Sequence, residues 1–377
     1  MLKEYYDREE SEPQTQPVLA STADLETEIS DPTAGVAQKF KNSEILSNLD
    51  KFLSHLEESQ KHDVKQVLKN SSKIFGDIPS VTTLIEHDIE LLQDTRPIKQ
   101  RPYRVNPAKQ EKIKTEIAYM KENGIIENSS SEWSSPCLVV PKPDGSSRLC
   151  TDFRKLNDVT IPDNYPLPRI SDCVEKIGQS KFITKIDLLK GYYQIPLTER
   201  AKRISAFVTC DGFYQYNVMA FGLRNAPSTF QRLANKLIQD LKGSAVYLDD
   251  LVVFSETWPQ HVKTLTELFS RLETANLTVN LAKSEIGKAT LSYLGFEVGN
   301  GQLKPLEAKI SAVMSYPVPQ TRKELRRFLG MTSFYRSFCP NLSEIIAPLT
   351  DLTSPNSTFK WNSGCQAAFE KAKEILG

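Results

Sequence analysis

Two adjacent carboxylates set between apolar runs constrain this chain more than any other feature. Asp249 and Asp250 follow Ala245-Val246-Tyr247-Leu248 and precede Leu251-Val252-Val253-Phe254. The pattern predicts a β-hairpin whose tight turn carries both acids. Like charges so close oppose each other's ionisation unless a cation or open solvent relieves them. A third acid, Asp187, ends the run Phe182–Asp187, 62 residues upstream of Asp249. Three carboxylates gathered at strand ends are able to bind two divalent metal ions, the arrangement used in phosphoryl and nucleotidyl transfer. Solvated acids at ordinary turns are the bland alternative, but they leave unexplained why both acidic sites close an apolar strand.

At 377 residues the chain has room for two or three domains with cores of their own. Its net charge of zero hides an uneven distribution. Residues 1–50 carry 11 acids and 4 bases, residues 96–155 carry 12 bases and 7 acids, and residues 302–377 carry 10 bases and 6 acids. An acidic leader ahead of basic segments points to a body that binds a polyanion. The six cysteines are scattered and form no CxxC pair, and the four histidines do not cluster beside them. Reduced thiols are therefore expected, rather than structural zinc or a disulfide framework. No apolar run approaches the roughly 20 residues needed to span a bilayer, and the N-terminus lacks the apolar core of a signal peptide. These features predict an intracellular chain with no membrane partner.

The composition over 1–42 predicts an acidic, disordered leader. Apolar residues at helical spacing over 43–70 (Ile45, Leu49, Phe52, Leu53, Leu56, Val64, Val67, Leu68) predict short helices in a linker running to about 85. His87–Leu91 reads as a strand, and 107–123 as a helix closed by Asn123-Gly124. Cys137–Val140 and Arg148–Cys150 flank an Asp144-Gly145 turn, predicting a hairpin with a basic residue on each arm. A second hairpin is expected around Asp211-Gly212, and a helix over 227–241 with Pro at its start. Beyond the acidic hairpin come a helix over 258–275, a hairpin over 291–304, and helical segments near 306–315, 321–338 and 341–352.

Several longer stretches carry a family resemblance. They are Pro136–Gly145, Arg148–Asn157, Tyr165-Pro166-Leu167-Pro168, Lys185–Ile195, Phe221–Gln231 and Tyr247–Asp250. Downstream follow Tyr293–Phe296, Glu324–Gly330 and Pro348-Leu349-Thr350. Together, from His87 to about Phe369, the chain resembles the reverse transcriptases of gypsy-type long-terminal-repeat retrotransposon Pol polyproteins, and more distantly those of retroviruses. Small departures, such as Thr151-Asp152-Phe153 where Val-Asp-Tyr is usual, remove no catalytic carboxylate.

The resemblance implies an α+β right-hand polymerase. Fingers and an antiparallel palm sheet would occupy 86–300, and a helical thumb with the start of the connection region 301–377. It implies Asp187, Asp249 and Asp250 as the catalytic triad, holding two Mg²⁺ (Mn²⁺ as substitute) with the Leu188 carbonyl as a further ligand. Lys142, Arg148, Tyr192, Phe221 and Gly222 would line the dNTP site. Lys and Arg would take the triphosphate, while Tyr192 excludes a 2′-hydroxyl and Tyr193 packs inward. Tyr247, Leu248, Tyr293, Leu294 and Gly295 would hold the primer, and Arg322 and Arg326 would follow duplex phosphate, with salt-sensitive affinity.

The implied partners are an RNA template, a DNA primer–template duplex and dNTPs, with a dimer or the rest of a Pol polyprotein as protein partners. Cytoplasm, virus-like particle and nucleus are the implied places of action. Neither the ribonuclease H domain that follows the connection region in the family nor an upstream protease motif is expected in this chain. Two readings stay open: RNA- and DNA-directed DNA polymerase, or a truncated, non-catalytic nucleic-acid-binding remnant related to ribonuclease H proteins by family alone.

Overall fold

Short apolar runs bounded by turn residues fill the middle of the chain, and among the described residues the backbone follows them into three sheets clothed by helices. The computed structural model describes residues 41–141, 147–336, 339, 341–354 and 358–376. Residues 1–40 of the expected leader, the Asp144-Gly145 turn and Lys142 lie outside the described residues.

The described chain opens with α1 (Asn42–Leu46), α2 (Leu49–Phe52) and α3 (Glu58–Asn70). Next come α4 (Pro107–Glu122), β1 (Ile126–Asn128), β2 (Ser135–Pro141), β3 (Ser147–Thr151), α5 (Arg154–Asp158) and α6 (Ile170–Gly178). The central part runs β4 (Phe182–Asp187), α7 (Glu199–Ile204), β5 (Phe207–Val208), β6 (Phe213–Tyr216), α8 (Ala226–Ile238), β7 (Ser244–Tyr247), β8 (Asp250–Ser255), α9 (Trp258–Thr274) and β9 (Glu285–Lys288). The last part comprises β10 (Leu291–Tyr293), β11 (Phe296–Gly299) and β12 (Gln302–Pro305). It ends with α10 (Glu307–Met314), α11 (Arg322–Ser333), α12 (Leu342–Ile345), α13 (Ala347–Asp351) and α14 (Ser363–Leu376).

Four strands in the order β7-β8-β4-β9 form the antiparallel sheet that carries the acids. A five-stranded sheet, β1-β6-β5-β2-β3, contains one parallel pair, β2 with β5. The sheet β10-β11-β12 is a separate meander. Ile183, Ile186, Leu251, Val252 and Val253 are all buried, so the acid-bearing strands are apolar on both faces. That explains their continuous, rather than alternating, apolar runs.

Two hydrophobic cores result. One joins α1–α3, the five-stranded sheet and the helices α8 and α9. The other gathers α6, β10, β11 and the C-terminal helices, including Phe328 and Phe369 with ring centroids 4.6 Å apart. The expected division at residue 300 thus cuts through a meander whose strands share one core with the C-terminal helices.

Three expectations change. The segment 43–85 is no linker: Leu53, Val64 and Leu68 are buried in the first core. His87–Leu91 is not a strand, because its backbone makes only isolated bridges, His87 to Leu197 and Leu91 to Thr160. Helices α6 and α14 also form where no helix was expected, each burying one apolar face in the second core.

Candidate active site

Register decides which acids meet. In the β4–β8 ladder Asp187 pairs directly with Asp250, and in the β7–β8 ladder Tyr247 pairs with Asp250. Only Leu248 and Asp249 lie between the strands, so one acid sits in the turn and the other opens the return strand. Directly opposed residues of an antiparallel pair hold their Cβ atoms about 5 Å apart, a distance at which two carboxylates repel. A divalent cation removes that repulsion, and carboxylate oxygens are the hard donors that Mg²⁺ and Mn²⁺ favour. The donor set therefore fits such ions. Among the described residues no three His, Cys, Asp or Glu side chains converge as a ready-made metal cage. The backbone fixes the Asp187–Asp250 pair, with Asp249 one residue away at the turn.

Both strand ends are buttressed. The Asp187 amide donates to Ser284 Oγ at 3.1 Å, and the Asp187 carbonyl accepts from the Asn280 amide at 2.8 Å. Leu188 is buried and bridges to Val279. At the turn Leu248 takes φ +52°, a left-handed conformation that costs a non-glycine residue about 1–2 kcal/mol. Its amide donates to the buried Gln231 Oε1 at 2.7 Å.

The loop after Asp187 builds the next wall. Lys190 has φ +50°, and a tight 3-10 turn follows over Gly191–Gln194. A Cβ at Gly191 would come within 2.9 Å of the Phe230 ring, so this close approach requires glycine. Gln194 clamps the loop: its Nε2 donates to the carbonyls of Leu189 and Thr278, both at 2.9 Å, and its Oε1 accepts from the Thr278 amide at 2.7 Å. Tyr192 stacks on Phe221 with centroids 4.8 Å apart at 27°, and tilts against Phe230 at 5.4 Å. Here the sequence reading is corrected. Tyr192, 8% exposed, is the packed ring and Tyr193 the half-buried one, because Phe221 and Phe230 sandwich the first of the two. Gly222 has φ +90°, and its carbonyl accepts from Asn157 Nδ2 at 2.8 Å.

The remaining predicted residues fall in two regions. Arg148 stands on β3 opposite Val140, on the hairpin arm that was expected to carry it. Nearby, Arg154 forks onto Asp152 (Nε to Oδ1 2.9 Å, Nη2 to Oδ2 2.7 Å) and Tyr103 donates its hydroxyl to the same carboxylate at 2.6 Å. The Arg154 bond, followed by that of Tyr103, holds the Asp152 carboxyl well below the usual range despite partial burial.

In the meander, Leu294 (φ +49°) and Gly295 (φ +87°) make the two-residue turn between Tyr293 and Phe296. Positive φ at both central positions matches the right-handed strand twist. Tyr293 is 1% exposed, and its hydroxyl has no hydrogen-bond partner among the described residues. Burial pushes that phenol well up, with Cys173 and Asp250 adding to the effect. Tyr247 is half-buried and Leu248 is buried at 9% exposure. Arg322 begins α11, whose cap Thr321 Oγ1 accepts from the Glu324 amide at 3.2 Å. Exposed Arg326 donates to the Thr353 carbonyl at 3.0 Å.

The register thus joins Asp187, Asp250, Tyr247 and the Leu248–Asp249 turn, and aromatic stacking joins Tyr192 to Phe221. Sequence reasoning missed Gln231, Gln194 and Ser284. None carried a clear signal: Gln231 lies beside, not on, the apolar stripe of Phe230, Leu233, Ala234 and Leu237, and its burial shows only in the fold.

Residues 140–298 match the family model for reverse transcriptase (RNA-dependent DNA polymerase). Over 335 residues, 86% of the chain, the sequence is 36% identical to the retrovirus-related Pol polyprotein from transposon 297 of Drosophila melanogaster, of which it covers 32%. Over 364 residues, 90% of the chain, it is 30% identical to the transposon Tf2-3 polyprotein of Schizosaccharomyces pombe, of which it covers 27%. Among solved structures, the foamy viral protease-reverse transcriptase dRH in complex with double-stranded DNA aligns with a TM-score of 0.81 at 25% identity, over 94% of this chain and 63% of that one. The chain spans about a third or less of the length of the curated relatives it matches.

Proposed function

The chain carries a reverse transcriptase domain in a right-hand polymerase fold, akin to those of gypsy-type retrotransposon Pol polyproteins, and from that premise we propose that it extends a DNA primer by template-directed dNTP addition. RNA and DNA both serve as template. The observation that carries this reading is the register of Asp187 against Asp250 beside the Leu248–Asp249 turn.

In this reading Asp187, Asp249, Asp250 and the Leu188 carbonyl would hold two Mg²⁺ ions, with Mn²⁺ as substitute. Such ions would supply activation of the primer hydroxyl and charge stabilisation of the leaving pyrophosphate. The chain's own residues orient the reactants. Lys142 and Arg148 take the triphosphate, Arg through its bidentate fork and Lys as a point charge. The Tyr192–Phe221 stack, with Gly222 at its edge, forms the floor under the deoxyribose and leaves no room for a 2′-hydroxyl. Tyr247 and Leu248 border the primer terminus, and the Tyr293-Leu294-Gly295 turn grips the strand behind it. Arg322 and Arg326 run along duplex phosphate, Arg326 while bonded to the Thr353 carbonyl. The foamy viral relative's complex with double-stranded DNA supports a duplex partner.

Primer extension on a primed RNA template, with Mg²⁺ and then Mn²⁺, tests the proposal against Asp249→Asn. Extension by the parent that is lost in the variant is the expected result. Equal duplex binding by both proteins, with extension by neither, would replace it with a non-catalytic binding protein.

A further inference from the structure

The acid-bearing turn is held by something other than its own strands. Leu248 sits in a left-handed conformation at the point where the turn needs most support, and the β7–β8 ladder does not supply its partner. Instead its amide donates at 2.7 Å to Oε1 of Gln231, one turn into α8 and fully buried.

Gln231 is itself anchored. Its Nε2 donates to Asn235 Oδ1 at 3.0 Å, and Asn235 Nδ2 donates to the Tyr165 hydroxyl at 2.8 Å. Tyr165 belongs to the Tyr165–Pro168 strap, a motif to which the proposed reaction gives no role. The strap is tied down where Arg232 stacks its guanidinium 4.5 Å from the Tyr165 ring and bridges Asp163 at 2.8 Å.

From this we propose that Gln231 is the positioning residue of the acidic turn, and that Tyr165 sets it through Asn235. The proposal rests on the reading of the turn as a metal-binding polymerase site. An amide suits the task on physical grounds. It offers an acceptor to Leu248 and a donor to Asn235 at once, without bringing a charge beside three carboxylates. The orientations are fixed from the Leu248 amide, which can only donate: Gln231 turns Oε1 to it and Nε2 to Asn235 Oδ1, which leaves Asn235 Nδ2 for the Tyr165 hydroxyl. The chain therefore has one consistent direction of donation, from Leu248 to Gln231, then from Gln231 to Asn235 and from Asn235 to Tyr165. Loosening any link frees Leu248 to leave its left-handed conformation, and Asp249 moves with it.

The test compares the parent with Gln231→Met, Gln231→Glu, Asn235→Ala and Tyr165→Phe. Gln231→Met keeps length and removes both polar contacts; Gln231→Glu restores an oxygen acceptor for Leu248. Tyr165→Phe leaves α8 untouched and removes only a half-buried hydroxyl, so it reports even if a core variant fails to fold. Three readouts are taken: hydrogen exchange at the Leu248 amide without metal, half-saturation by Mn²⁺ alone, and primer extension with primer–template affinity measured separately.

Gln231→Met should speed Leu248 exchange roughly tenfold or more, the consequence of losing one buried hydrogen bond, while amides in β4 and α9 keep the parent rate. Its Mn²⁺ half-saturation should rise and kcat fall, with primer–template affinity unchanged. Glu should restore protection at Leu248, and Asn235→Ala and Tyr165→Phe should fall between. Parent-like exchange and Mn²⁺ binding in Gln231→Met would overturn the inference, as would acceleration spread evenly over the whole sheet. Should the parent itself not extend primers, the polymerase reading fails, while the exchange result still decides the role of Gln231.

Discussion

Asn42 is the last residue of the stretch expected to be a disordered leader, yet it is 4% exposed and makes three hydrogen bonds. Its Nδ2 donates to the Gly76 carbonyl at 2.8 Å and the Val279 carbonyl at 2.7 Å, and its Oδ1 accepts from the Leu281 amide at 2.9 Å. Replacement by Ala orphans two buried backbone groups and one partly solvated carbonyl. At about 1–3 kcal/mol for each buried group left unsatisfied, the expected loss is about 3 kcal/mol. Asn42→Asp should cost more still, because it retains the acceptor for Leu281 but sets a carboxylate against two carbonyl oxygens. Urea unfolding followed through tryptophan fluorescence measures this, since Trp258 Nε1 donates to Asp63 of α3 at 2.9 Å and reports on the docking of these helices. A change below about 0.5 kcal/mol, the range of ordinary surface substitutions, would refute the reasoning and return Asn42 to the leader.

Two further outcomes rest on buried rings. Tyr192→Ala removes one half of the Tyr192–Phe221 stack, so incorporation of ribonucleotides relative to deoxyribonucleotides should rise by an order of magnitude or more in competition primer extension; unchanged selectivity would strip Tyr192 of that role. Burial pushes both His87 and His261 down to about 4. The unfolded chain protonates these residues near 6.5 while the folded chain does not, so their contribution to stability is whole above about 6.5 and is lost as pH falls toward 4. The loss should be of order 1 kcal/mol per pH unit for each histidine, and His261→Gln should remove one proton from the slope measured by unfolding at pH 4.5–6.5.

What the sequence made legible was whatever is local and repetitive. Apolar runs on either side of Asp249-Asp250 and before Asp187 are contiguous, so the hairpin and the upstream strand could be read directly. Their pairing could not, because register depends on a ladder between segments more than 60 residues apart. His87–Leu91 looked like a strand because its residues alternate, but its amide partners are irregular segments rather than a neighbouring strand. The choice between Tyr192 and Tyr193 turned on Phe221 and Phe230, which approach from beyond the next hairpin and from α8. Helix α14 was missed because its partners, Phe328 on α11 and Leu349 on α13, complete the core that its apolar face needs.

A common physical rule governs the parts of the site that stayed hidden. A strand end that must present carboxylates runs straight into irregular backbone, and irregular backbone cannot satisfy its own amides and carbonyls. Around this site three buried amide side chains do so instead. Asn42 holds the chain at Val279 and Leu281, Gln194 holds Leu189 and Thr278, and Gln231 holds Leu248. Each supplies both donor and acceptor, and none adds charge. A Lys or Arg in these positions would lack the acceptor, an Asp or Glu the donor, and each would bury a charge. Neutral amides thus offer donor and acceptor together without burying a charge. Their partners lie 237, 84 and 17 residues away along the chain. No spacing rule reaches so far.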